Sequence, residues 1–194
     1  MKIITISREY GAGGSPIGKE VAKRLGVEIY DKDIIRGIAK VSGRDYEDIE
    51  RISEDLSKKE NILRAVTPAS YNPTRSLFEL QKNVILDLAA KGPCVIIGRC
   101  ANIILREAGI ESLDIFLHAD DAHRYLRVSE LIGSDKIKDI IKEIKKKDYG
   151  RRNFYTSCTG HSWADCRDYH VMLDSGLLGY DTCVEMIVAA AKTI

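Results

Sequence analysis

Residues 3–26 read IITISREYGAGGSPIGKEVAKRLG, and the fold turns on how this stretch divides. Ile3, Ile4 and Ile6 make a short β-branched run, which predicts a buried first strand. From Ser15 onward, Ile17, Val21, Ala22 and Leu25 recur at helical spacing, with Gly26 as a stop signal. Between strand and helix lie Gly11, Gly13, Gly14 and Gly18. Amides in such a turn can surround an anion, and the helix behind it offers its positive end. Glycine matters there because a side chain would hold the backbone away from phosphate oxygens. Gly13 and Gly18-Lys19 satisfy the GxxxxGK spacing of a phosphate loop, but Glu20 stands where a hydroxyl residue normally follows. Ser15 or water would then complete the shell of a metal ion. Two placements of the anion stay open. Lys19 closes the loop, or the helix starts at Ser15, the amides of 13–16 face the anion, and Arg8 helps to neutralise it. A strand-to-helix turn with no ligand is the plainer alternative.

Working outward, strand and helix patterns alternate. VEIYD (27–31) reads as a short strand and KDIIRGIAKVSG (32–43) as an amphipathic helix. LFELQKNVILDLAAKG (77–92) is a strongly periodic helix, stopped by Gly92-Pro93. CVIIG (94–98) is a continuous apolar strand of the kind buried on both faces of a parallel sheet. RCANIILREAG is helical, LDIFLHA is a strand, and residues 120–148 are helical and increasingly basic. Residues 150–169, GRRNFYTSCTGHSWADCRDY, read as a polar, aromatic loop. HVMLDS and GYDTCVEMIVAAAKTI supply a last strand and helix. The alternation predicts an α/β fold with a mostly parallel sheet flanked by helices. One domain over 1–194 is expected, with a helical insertion at 44–82. Ligands of such sheets gather beyond the carboxyl ends of the strands, here residues 8–19, 31–36, 98–102 and 174–179.

Composition narrows the class without naming a function. The chain has 194 residues and a formal net charge of +1, so no general attraction to nucleic acid or membrane is expected. No apolar run approaches a membrane span. Met1-Lys2 leads straight into the first strand, with no signal-peptide pattern. Five cysteines without framework spacing read as reduced thiols, and a cytoplasmic location is expected.

ITISREYGAGGSPIGKEVAKRLG, YDKDII, VIIGRCANIIL and YTSCTGHSWADCRDYHVMLDSGLLG together resemble the cytidylate kinase-like family, a branch of the P-loop nucleoside monophosphate kinases. The resemblance spans nearly the whole chain and is weakest over 44–75. It implies a P-loop NTPase fold and ATP-dependent, Mg²⁺-assisted phosphorylation of a nucleoside monophosphate, cytidylate by default. A nucleotide donor and a small phosphorylated acceptor are the implied partners, and a homo-oligomer is compatible with it. The family's nucleotide loop falls on Gly11, Ala12, Gly13, Gly14, Ser15, Gly18 and Lys19, with Ser175 and Gly176 near the donor base. Its acceptor region falls on Asp31, Arg36, Gly98, Arg99 and Asn102. Its basic lid, over 133–168, carries Arg151 and Arg152, with Asp148 and Tyr155 nearby. Another phosphorylated or hydroxylated acceptor, or a nucleotide-binding regulator without phosphotransfer, stays open.

The chemistry asks for this set of residues. Two phosphorylated substrates repel each other, so cations must converge on the gap, and the planar fork of Arg holds two phosphate oxygens at once. Lys19 would serve the donor, Arg36 and Arg99 the acceptor phosphate, and Arg151 and Arg152 the closing lid. Each has a plainer reading: Arg36 on a solvated helix face, Arg151 and Arg152 at the exit of a basic helix, Asp31 as a helix cap. Cys158, His161, Cys166 and His170 have spacing short enough for zinc. His170 abuts the last strand, however, and no metal site is expected.

Overall fold

A computed structural model describes residues 2–31, 34, 36–37 and 73–193. The chain opens with strand β1 (Ile3–Arg8), helix α1 (Gly14–Leu25) and strand β2 (Glu28–Tyr30). Helix α2 (Pro73–Ala89), strand β3 (Cys94–Ile97), helix α3 (Ala101–Glu107) and strand β4 (Ser112–His118) follow. Helices α4 (Asp121–Ile132) and α5 (Ile137–Thr159) lead through a 3₁₀ turn at Cys166–Asp168 to strand β5 (Val171–Asp174). Helices α6 (Ser175–Leu178) and α7 (Tyr180–Thr193) complete the order. Most of the 44–82 insertion expected from the sequence lies outside the described residues.

The five strands form one parallel sheet in the order β2-β3-β1-β4-β5. The period-2 alternation of a strand explains the layers. Ile4 and Ile6 of β1, Val95 and Ile97 of β3, and Ile115 and Leu117 of β4 share one face, packed against Ile17 and Val21 of α1 and Val184 and Ile187 of α7. Ile3, Cys94, Ile96 and Phe116 face the other way, onto Phe78 and Ile85 of α2, Ile104 of α3, and Phe154 and Tyr155 of α5. A sheet covered by helices on both faces needs apolar residues at successive positions, which is why CVII reads without alternation. The chain leaves β1 toward one side of the sheet and β4 toward the other. The helices therefore part at the carboxyl end of β1, where such folds take their ligands.

Helix α1 stops as its sequence predicts: Gly26 adopts φ 67°, and the Val27 amide reaches back to the Ala22 carbonyl at 3.0 Å. The expectation of a loop from residue 150 is overturned, because α5 continues to Thr159 and ends at Gly160 with φ 74°. Phe154 and Tyr155 are the reason. They share the buried stripe of α5 with Ile140, Ile144 and Asp148, so the aromatic residues anchor a helix face. Trp163 and Tyr169 also pack, their rings 5.4 Å and 5.0 Å from that of Phe116.

Candidate active site

The glycine loop is built by close approach. Gly13 closes it in the left-handed region at φ 74°, and α1 begins at Gly14. A Cβ on Gly13 would collide with the ring of Tyr180. The Gly14 and Ser15 amides lie in the first helical turn, where no intrahelical acceptor exists. Neither they nor the Gly13 amide donates to the backbone of another described residue, so three donors and a helix terminus converge on one spot.

Of the two alternatives open in the sequence, this start favours the one in which Lys19 lies a turn inside the helix. Gly18 lies inside α1, where a Cβ would come within 2.5 Å of Ile97 Cδ1. Its role is close helix–sheet contact. Lys19 is exposed in the second turn and does not line the cleft described below. Gly18→Ala is expected to wedge α1 from the sheet and cost about 1–3 kcal/mol, read as a lowered midpoint in thermal denaturation.

A buried ion pair holds the loop from the far side. Arg124 of α4 and Asp148 of α5 are 7% and 9% exposed, and their side chains are directly paired. Arg124 Nε donates to the Tyr10 carbonyl at 2.9 Å, and the Tyr10 amide donates to Asp148 Oδ1 at 2.7 Å. Glu9 Oε2 lies 3.4 Å from Arg124 Nη1. Both main-chain polar groups of Tyr10 thus end on residues more than a hundred positions away.

Beyond the carboxyl ends of β1 and β3, a cleft opens against α5. Arg8, Arg99, Lys147 and Arg151 line it, over a wall of Phe154, Tyr155 and Trp163. Arg151 Nη1 donates to the Arg8 carbonyl at 3.1 Å, its guanidinium carbon lies 5.4 Å from the Tyr10 ring centre, and Nη1 is 3.9 Å from Asp148. Asp31, at the end of β2, has its carboxylate 3.9 Å from Arg8 Nη2. Four cations around one small cleft give it a positive lining.

Arg99 is held there by unusual backbone. Gly98, Arg99 and Cys100 have φ of 68°, 62° and 56°, three successive left-handed residues. Only the first is a glycine, so the other two carry strain that the surroundings must sustain. Buried Gln81 of α2 helps, its Nε2 donating to the Arg99 carbonyl at 2.7 Å.

The remaining expected residues are dispersed. Asn102 is 1% exposed, and its Nδ2 donates to the Tyr155 hydroxyl at 2.9 Å and the Asp168 carbonyl at 3.3 Å. It ties α3 to α5 in the core and does not line the cleft. Arg152 is exposed, one position and about 100° of helical turn from Arg151. Arg36 is exposed on a helical turn and is absent from the cleft lining. Ser175 is fully buried and donates to the Ala12 and His118 carbonyls at 2.9 Å and 3.1 Å, fastening the β5 end beneath the loop. Gly176 packs against Ala119 and His123. His170 Nδ1 accepts from the Asp114 amide at 3.0 Å, while His161 Nδ1 lies 2.9 Å from Asp168 Oδ2, so the two histidines serve different carboxylate residues.

Lys147 was missed in the sequence although it had a signal. It stands four residues before Arg151, on the same helical face, and the loop reading from Gly150 broke that pairing. Cys100 also lines the cleft, but its burial pushes the thiol well above the ordinary range. At pH 8 it stays protonated, so iodoacetamide is expected to label exposed Cys166 and spare Cys100 until the protein is denatured, as peptide mass mapping would show.

A parallel β2-β3-β1-β4-β5 sheet with a glycine loop between its first strand and helix is a P-loop α/β fold. The profile of the cytidylate kinase-like family matches residues 3–177, and the chain belongs to that family. Membership makes it a kinase-type phosphotransferase. No curated protein sequence matches it. Among solved structures it is similar to an uncharacterized protein from Eubacterium ventriosum, with 24% identity, full coverage of both chains and a TM-score of 0.73. It is also similar to a gluconokinase from Sinorhizobium meliloti, with 15% identity, 99% and 94% coverage and a TM-score of 0.57. A shikimate kinase from Acinetobacter baumannii, in complex with shikimate, shows 13% identity, 100% and 94% coverage and a TM-score of 0.56. These likenesses establish the fold. No helix among the described residues is long and apolar enough to cross a membrane.

Proposed function

We propose that the protein transfers the γ-phosphoryl group of ATP to a small phosphorylated acceptor, with cytidylate (CMP or dCMP) the first acceptor to test. The observation that carries this reading is the convergence of Arg8, Arg99, Lys147 and Arg151 on one cleft beside the glycine loop. In this reading the Gly13–Ser15 amides hold the donor phosphates. Arg99 and Arg151 hold the acceptor phosphate, whose oxygen attacks the γ-phosphorus in line as the bond to the β,γ-bridging oxygen breaks and ADP departs. A phosphate acceptor is already a nucleophile, so no strong general base is needed. The cations lower the repulsion between the two anions, and residues 133–168 would serve as the lid that keeps water out.

Mg²⁺ would arrive with ATP. Among the described residues no three carboxylates, histidines or cysteines form a ready cage. The Ser15 hydroxyl beside the loop amides fits a Mg²⁺ whose other ligands are phosphate oxygens and water. Bound there, the ion offsets charge on the β- and γ-phosphates.

A second reading has its own support. Asp31, close to Arg8, is a carboxylate suited to take the proton of a hydroxyl acceptor. The named substrates of the shikimate kinase and gluconokinase neighbours make hydroxy acids the obvious alternative class. An ADP-release assay with ATP and Mg²⁺ across CMP, dCMP, UMP, AMP, shikimate and gluconate separates the readings. Turnover on a nucleoside monophosphate is the expected result. Turnover only on a hydroxy acid would move the assignment to the second reading, and ATP binding without turnover would favour a regulator.

A further inference from the structure

We infer that Arg8, and not Lys19, is the cation that bridges the donor and acceptor phosphates; this rests on the phosphotransfer reading above. The argument begins with room. A Cβ on Gly14 would come within 2.5 Å of Arg8 Cγ, and a Cβ on Gly98 would collide with Arg8 Nη1. Two glycines from two different strand ends therefore clear a passage for one side chain. Gly14 opens α1, and Gly98 opens the turn that presents Arg99. The Arg8 side chain runs between those features, 21% exposed, with Nη2 3.9 Å from Asp31.

Position then decides role. Arg8 is the last residue of β1, so its Cα sits at the carboxyl edge of the central strand. Its carbonyl accepts from Arg151, which fixes the main chain relative to α5. The aliphatic stem of Arg8 lies beside Gly14 on the donor side, and its guanidinium lies beside Gly98 on the acceptor side. Lys19, five residues into α1, is exposed and outside the lining. A charge at the junction of two phosphates stabilises the transferred group most in the transition state, where neither product nor substrate fully holds it.

The test measures Mg-ATP and adenosine affinities by calorimetry, and transfer rates with the acceptor that the panel above identifies. The proteins are wild type, Arg8→Gln, Arg8→Lys, Arg8→Gly and Lys19→Ala. Arg8→Gln is expected to lower kcat about 100-fold and to weaken Mg-ATP about tenfold while leaving the binding of adenosine, which carries no phosphate, unchanged. A merely structural loss would weaken both ligands alike. Methylguanidine is expected to restore part of the Arg8→Gly rate, and Lys19→Ala to stay within about threefold of wild type. Arg8→Lys keeps the charge and loses the fork, so an intermediate kcat is expected and serves if Arg8→Gln does not fold. Arg8 variants at wild-type rate, or a Lys19→Ala loss as large as that of Arg8→Gln, would overturn the assignment. Wild-type protein that binds no Mg-ATP would instead remove the phosphotransfer reading beneath it.

Discussion

Replacing Arg99 by glycine is expected to leave the protein as stable as before and to lower phosphoryl transfer about 100-fold. Two effects on stability oppose each other. Arg99 sits at φ 62°, where a residue with a Cβ bears a cost of about 1 kcal/mol that glycine escapes. Glycine in turn loosens the unfolded chain, which costs about 0.4–1 kcal/mol. The nearly equal magnitudes predict a melting temperature within a few degrees of wild type. The Gln81 contact survives, because it is made to the main-chain carbonyl. What disappears is one guanidinium at the edge of the cationic cleft. Thermal denaturation and ADP release measured on the same preparation test this together. An Arg99→Gly protein that melts early and works normally would show that the side chain serves the fold and not the reaction.

The second large effect falls on the buried pair of Arg124 and Asp148. Asp148→Leu leaves the Arg124 guanidinium buried without its main partner and the Tyr10 amide without an acceptor. Removing one member of such a pair costs about 3–5 kcal/mol, a drop of roughly 10 °C for a domain of this size. Arg124→Met is expected to cost a similar amount. The double variant should recover much of the stability, because two apolar side chains can fill the space that two charges held. Transfer should stay low in all three, since each single variant removes one of the two anchors on Tyr10 and the double variant removes both. Chemical denaturation gives the stability cycle and ADP release gives the activity. Recovery of activity along with stability would mean that the pair supports the domain alone and has no hold on the loop.

Much of the architecture could be read from the residues because it is local. The β-branched run at Ile3–Ile6, the helical spacing of Ile17, Val21 and Ala22, and the glycine at 26 each settle an element within a few neighbours, and all three behave as their pattern implies. Arg99 was legible for a similar reason, since a polar residue directly after a buried apolar strand must stand at the strand's end. Other features rest on distant partners. Of the two anion placements open in the sequence, the helix that begins at Gly14, one residue before Ser15, puts Lys19 in its second turn. Gly18 fits against Ile97 of β3, seventy-nine positions away. The Asn102 amide is taken up by the Tyr155 hydroxyl and the Asp168 carbonyl. The extent of α5 depended on partners for Phe154 and Tyr155 across the sheet.

The alternation of strands and helices and the buried helix faces follow from apolar periodicity, which each segment carries in its own residues, so the order of elements along the chain and the position of the glycine loop were written in the sequence, while the order of strands in the sheet was not. Which side chains meet at the cleft depends on helix phase to within a single residue and on partners far along the chain. Arg151 faces the cleft and Arg152 faces solvent because one residue turns a helix by about 100°. Arg8 has room beside the glycine loop because Gly14, after β1, and Gly98, after β3, both lack a side chain there. Only packing brings those glycines together, and packing is what a list of residues does not state.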